Sequence, residues 1–154
     1  MFKLLKSKRG FTLVELMIVV VIMAILVAVA VPIYSAVTAN AKKRTCVANQ
    51  REIVAQLNNY GMSRIDTPLH NGTITIKTNA DGDGYATLNC GGVFDDDGET
   101  LTGMFQTMPY CPIANNRLEI TVEKGGVDGE YYISSKCYDA DNDVTDHEYN
   151  PDKT

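Results

Sequence analysis

Lys8-Arg9-Gly10-Phe11-Thr12-Leu13-Val14-Glu15-Leu16 is the stretch that decides how this chain is built. A short basic leader ends in glycine. An apolar segment begins at phenylalanine, and one carboxylate, Glu15, lies near its start. Sixteen apolar residues then run without interruption from Leu16 to Val31. Residues 11–34 form a stretch of 24. At ~1.5 Å rise per residue, a helix of that length crosses a ~30 Å hydrocarbon layer. A carboxylate entering hydrocarbon costs about 2.5–3.5 kcal/mol on insertion scales, so Glu15 needs a partner or a task.

Charge fixes the expected orientation. The leader 1–10 carries Lys3, Lys6, Lys8 and Arg9 and no acid, whereas the chain as a whole is −5. From Cys46 onward there are 18 acidic and 7 basic residues, a formal −11. Positive charge before the span and a long acidic domain after it predict a cytoplasmic N-terminus and an external domain. So acidic a domain repels phosphate backbones, which argues against direct nucleic-acid binding. A cleavable secretory signal would have a shorter apolar region ending in small residues. A plain anchor would have no use for Glu15.

These residues resemble the class III signal of type IV prepilins and pseudopilins, closely over Lys8 to about Tyr34 and more loosely to Tyr60. The resemblance implies a leader, 1–10, cut between Gly10 and Phe11 by a prepilin peptidase that also N-methylates Phe11. It implies that Glu15 neutralises the new amine of a neighbouring subunit during assembly. The alternative task for Glu15 is to cap its own helix, where a negative charge is favoured by ~0.3–1 kcal/mol. Pro32 lies where such helices often carry a proline. It removes one backbone hydrogen bond and strains the helix at Ala28, reading either as a kink or as a tolerated membrane proline.

Beyond the span, Cys46, Ile53, Leu57 and Tyr60 fall at helical spacing with Val47 and Val54 beside them, and Gly61 reads as a stop. The expected helix runs from Thr12 to Tyr60, about 75 Å. Its first half is apolar all round and its second has one apolar stripe. Such a helix needs lipid first and copies of itself afterwards. Lys42, Lys43 and Arg44 read as a membrane-surface anchor or as inter-subunit ion pairs. Thr73–Thr78, Tyr85–Cys90, Arg117–Lys124 and Glu130–Lys136 read as strands, the last two joined by a hairpin loop at Gly125–Gly129. Residues 62–72 and 95–99 read as loops, Thr100–Thr107 as a short helix and Asp139–Thr154 as irregular. The expected fold is α+β: a transmembrane or filament-core helix over 11–34, and an extracytoplasmic domain over 35–154 whose helical half packs on a small antiparallel sheet, the pilin fold.

Four cysteines, Cys46, Cys90, Cys111 and Cys137, lie in the external part, and an even number suits an oxidising compartment. They permit three disulfide pairings. A bond from Cys46 would tie helix to sheet or loop, and Cys111–Cys137 would pin the C-terminal hairpin, each contributing ~2–4 kcal/mol. Four thiolates could instead close a structural zinc shell, although no Cys-x-x-Cys pair is present. Cys46 in Cys-Val-Ala-Asn, then Cys111-Pro112, then a late cysteine is similar to pilin-like proteins of Gram-positive bacteria. Two acidic runs suggest a calcium loop: Asn79-Ala-Asp81-Gly-Asp83, and Asp139, Asp141 and Asp143 with Asp146. Both depart from an EF-hand. Calcium in a C-terminal loop of related major pseudopilins favours the second run. Otherwise both are solvated acidic loops, and no cofactor is required. Asn71-Gly-Thr73 matches a glycosylation sequon. His70 and His147 have no nucleophile signature nearby, and no phosphate-cradling loop is present, so no enzymatic activity is expected.

The resemblance implies a structural subunit of a type IV pilus that polymerises through its N-terminal helix, serving adhesion, aggregation or twitching motility. The alternative is a pseudopilin of a type II secretion or competence (DNA uptake) apparatus. Implied partners are other copies of the pilin, the prepilin peptidase and methyltransferase, and an assembly platform with its ATPase. The chain would sit as a single-pass protein of the plasma (inner) membrane before assembly and in a surface pilus afterwards. A membrane-tethered binding module that never polymerises is a further reading, and it predicts that Glu15→Val is harmless.

Overall fold

The structure is a computed structural model that describes residues 10–63, 69–94, 99–124, 131–147 and 149. Helix α1 spans Leu13–Ser63, followed by β1 (Gly72–Thr78), β2 (Tyr85–Asn89), α2 (Glu99–Met104), β3 (Arg117–Lys124) and β4 (Tyr131–Tyr138). The chain divides into two compact units, Met1–Ala39 and Asn40–Thr154, and α1 contributes to both. The leader 1–9 and the hairpin loop 125–129 lie outside the described residues, as do 64–68, 95–98, 148 and 150–154 of the expected irregular segments. The architecture is α+β and pilin-like, a long N-terminal helix followed by a four-stranded antiparallel sheet.

In the second unit the sheet has the order β2-β1-β3-β4, with every pairing antiparallel. Side chains alternate between faces with period two. Register therefore builds transverse rows on the inner face. Ile74, Ile120 and Ser135 form one row, Ile76, Leu118 and Cys137 the next, and Val122 with Ile133 a third. All of these are buried. From α1, Cys46, Gln50, Ile53, Val54 and Leu57 join the same core. The predicted stripe is therefore present, with one unpredicted member, Gln50.

Three of the boundaries that differ from expectation have a visible physical cause. Helix α1 runs through Gly61 to Ser63. A Cβ on Gly61 would lie 2.8 Å from the Tyr131 ring, so the glycine admits that ring instead of ending the helix. Helix α2 stops at Met104, where Phe105 N–H bonds back to Thr102 O in a tighter turn. Met108, which precedes Pro109, is also biased away from helix. Strand β4 extends to Tyr138 because Cys137 and Tyr138 pair with Leu118 and Arg117.

Candidate functional site

In the first unit, the tip of α1 carries a capping box. Thr12 N–H and Thr12 Oγ1 both donate to Glu15 Oε2 at 2.8 Å, and Glu15 N–H donates back to Thr12 Oγ1 at 3.2 Å. Both bonds converge on one oxygen, and among the described residues Oε1 makes no hydrogen bond. Gly10 has open space around it, and Phe11 is 77% exposed. The large apolar side chains from Leu13 to Val37 remain between 47% and 80% exposed on all sides of the helix. This segment is long and apolar enough to cross a membrane. Helix α1 continues through Pro32, whose carbonyl accepts the Ser35 hydroxyl at 2.9 Å.

In the second unit, three thiols and an imidazole converge. The Sγ atoms of Cys46, Cys111 and Cys137 and a ring nitrogen of His147 all lie within 4.8 Å of one another, and all four residues are buried. Each comes from a different element. Cys46 sits on α1, and Cys137 is on β4 in the Ile76–Leu118 row. Cys111 is held by its backbone: its carbonyl accepts Thr78 Oγ1 at 2.7 Å, and the Tyr110 carbonyl accepts Asn49 Nδ2 at 2.6 Å.

His147 arrives because the chain reverses after β4. Asp139 N–H bonds to Asp143 O, and Asn142 takes a left-handed φ of 75°, which asparagine tolerates. Tyr138 then bridges to Val144, and Thr145 N–H donates to Cys137 O at 2.9 Å. Gln50 Nε2 fixes the return by donating to His147 O at 3.0 Å.

The cluster is polarised. Cys46 Sγ accepts Gln50 Nε2 at 3.4 Å, and Cys137 Sγ accepts Asn116 Nδ2 at 3.5 Å. Hydrogen bonding with Cys111 and then Cys46 holds the Cys137 thiol down at about 2, with Thr145 and Asn116 adding to it. The same sulfur contacts push Cys46 up, through Cys111 first and Cys137 next, and burial adds to this. Cys111 is pushed up to about 12, chiefly by Cys137. His147 Nε2 lies 3.8 Å from Cys111 Sγ, and Nδ1 lies 3.3 Å from Asp146 Oδ1. Lys43 Nζ grips Asp146 Oδ2 at 2.7 Å and, ahead of His147, holds that carboxyl below its usual range.

Residues 5–31 match the prokaryotic N-terminal methylation motif. This match covers the leader and the first part of α1, and it supports the type IV pilin and pseudopilin family. Searches of curated proteins and of solved structures returned no match. The prepilin-type motif implies processing by a prepilin peptidase and assembly, and the family is structural, not enzymatic.

Cys90 is buried just after β2, at the sheet edge opposite β4, and does not join the sulfur cluster. Two strands, β1 and β3, intervene between β2 and β4, so at ~4.8 Å per strand Cys90 is far beyond disulfide reach of Cys137. The four thiols therefore do not form one cluster: His147, not Cys90, stands beside the other three.

In the acidic run Asp139, Asp141, Asp143 and Asp146, two of the carboxylates have protein partners. Asp139 Oδ1 accepts the N–H groups of Asp141 and Asp143, and Asp146 is engaged by Lys43 and His147. At the other run, Asn79 Oδ1 accepts Gly82 and Asp83 N–H and its amide donates to Asp83, which makes a turn. Lys43 is committed to Asp146, while Lys42 and Arg44 stay exposed. His147 was missed by sequence reasoning because its partners stand 10, 36 and 101 positions away in the chain. No local spacing marks it.

Proposed function

We propose that this chain is a filament subunit of a type IV pilus, cut between Gly10 and Phe11, methylated at Phe11 and assembled through α1. One observation carries the reading: an apolar helix exposed on every side, with a carboxylate held at its tip beside the future amino terminus. Burying each large aliphatic side chain of that helix is worth about 1.5–3 kcal/mol, so in water the segment is stable only among like helices.

Before assembly, lipid takes their place. The domain leaves the cytoplasm, and the N-terminus stays inside by virtue of the leader cations. On assembly, Glu15 Oε1 accepts the amine of a neighbour's Phe11 while Oε2 keeps its own cap. Desolvation offsets much of the Coulomb attraction, so the pair sets register more than it adds stability. Adhesion, aggregation or twitching would follow from the filament.

Mass spectrometry of sheared surface material tests this. The expected result is an abundant chain beginning at methyl-Phe11, together with long fibres that disappear in Glu15→Val. Short rods confined to the envelope would point instead to a secretion or competence pseudopilus. An uncut chain still bearing Met1 in cells with an active prepilin peptidase, or a Glu15→Val variant that assembles normally, overturns the filament reading.

A further inference from the structure

We propose that Cys46, Cys111, Cys137 and His147 bind one tetrahedral divalent cation of the zinc class, which fastens α1, the Cys111 loop, β4 and the C-terminal return to one another. This site is independent of whether the chain polymerises.

The donor set is the first argument. Three thiolates and one imidazole make a closed structural zinc shell. Zinc–sulfur bonds of about 2.3 Å and zinc–nitrogen bonds of about 2.0–2.1 Å place tetrahedral ligands roughly 3.5–3.8 Å apart. The four ligand atoms here lie within 4.8 Å of one another, and Cys111 Sγ is 3.8 Å from His147 Nε2. A contraction of at most about 1.3 Å in the widest separation closes the shell. Among the described residues no carboxylate joins the cluster, which disfavours calcium or magnesium, and sulfur with imidazole favours zinc.

Ring orientation is the second argument. Asp146 Oδ1 only accepts, so the proton of neutral His147 belongs on Nδ1, 3.3 Å away. That leaves the Nε2 lone pair between Thr145 Oγ1 at 3.3 Å and Cys111 Sγ at 3.8 Å, so a cation displaces the Thr145 hydroxyl from it. Lys43 in turn fixes Asp146 at 2.7 Å. A carboxylate behind a ligating histidine is the usual outer support of a zinc site. Amide donors from Gln50 and Asn116 likewise face the Cys46 and Cys137 sulfurs.

Sulfur count is the third argument. A disulfide would use two of the three thiols and leave the third buried against the imidazole. A cation uses all four groups. Cys90, which could have made the count even, lies at the far sheet edge. Binding takes the sulfurs as thiolates and releases thiol protons to solvent, so uptake weakens in acid.

The test uses the full chain, purified in detergent under anaerobic, reducing conditions and titrated with Zn²⁺ or Co²⁺ alone. One equivalent of cobalt is expected, with a thiolate-to-metal charge-transfer band and the intense visible bands of tetrahedral cobalt. Zinc should displace it. Cys90→Ser should keep the band, and Cys111→Ser and Cys137→Ser should lose it. His147→Cys guards against simple misfolding: it supplies a fourth thiolate and should retain the metal with a strengthened charge-transfer band. Failure of the reduced chain to bind one equivalent overturns the proposal. So does a band that survives Cys137→Ser unchanged, that vanishes in Cys90→Ser, or that is unaltered by His147→Cys.

Discussion

The Ser135 hydroxyl on β4 donates to Gln50 Oε1 on α1 at 2.9 Å, at a place where both residues are buried. Ser135 stands in a row with Ile74 and Ile120, so a polar pair replaces aliphatic packing at the centre of the helix–sheet contact. The same Oε1 accepts Tyr149 N–H at 2.8 Å, and the Gln50 amide donates to His147 O. One side chain therefore joins helix, sheet and C-terminal return.

Gln50→Leu should be strongly destabilising. It strands the Ser135 hydroxyl, the Tyr149 N–H and the His147 carbonyl, and each buried orphan costs about 1–3 kcal/mol. Chemical denaturation should show a loss of roughly 2–5 kcal/mol. Ser135→Ala should cost about 1 kcal/mol, because Gln50 Oε1 keeps its bond from Tyr149. Equal effects from the two variants would contradict this division of roles.

Gly91 and Gly92 make a paired comparison. Both have positive φ, 52° and 79°. A Cβ at Gly92 meets nothing within 4 Å, whereas one at Gly91 would overlap the Thr73 carbonyl oxygen on β1. Gly92→Ala should cost about 1–2 kcal/mol from left-handed strain alone. Gly91→Ala should cost at least about 3 kcal/mol, because β1 must move as well. Thermal unfolding of the two variants side by side reads the difference.

The two parts of α1 should respond oppositely to truncation. Leu57 is fully buried, so Leu57→Ala should remove about 2–5 kcal/mol of domain stability. Val19 is 47% exposed in the single chain. Val19→Ala should leave domain unfolding in detergent unchanged and lower the yield of sheared filament. A Val19→Ala chain whose domain melts early would show that the first unit supports the second.

Thr78→Val probes the seat of Cys111. The Thr78 hydroxyl donates to the Cys111 carbonyl at 2.7 Å from a site that is 1% exposed. The near-isosteric change should cost about 1–2 kcal/mol, most of it the stranded carbonyl. It should also increase the rate at which Cys111 reacts with an alkylating reagent. Unchanged reactivity would mean that flanking Pro109 and Pro112 hold the loop without help.

Much of the fold was legible from short-range patterns. Strand β3 matches its expected bounds, and β1, β2 and β4 differ by one or two residues, because alternation and glycine turns are local signals. The apolar stripe at Cys46, Ile53 and Leu57 was legible for the same reason. Gln50 was not, since an amide in that stripe reads as polar until Ser135 and Tyr149 stand beside it. Gly61 misled because the reason for a glycine there is the Tyr131 ring, 70 residues away.

By itself the sequence determined the N-terminal methylation motif, the apolar span, Glu15 at the helix tip and the alternation of four strands. Each is written in residues that lie within a few positions of one another, where helix and strand periodicity act directly. Only the tertiary structure decided which cysteines meet, that His147 joins three of them, and that Gln50 ties the core together. Those outcomes depend on strand order and on the reversal after β4, which bring together groups up to 101 residues apart. Burial of the common apolar core makes those approaches, and no local periodicity encodes them.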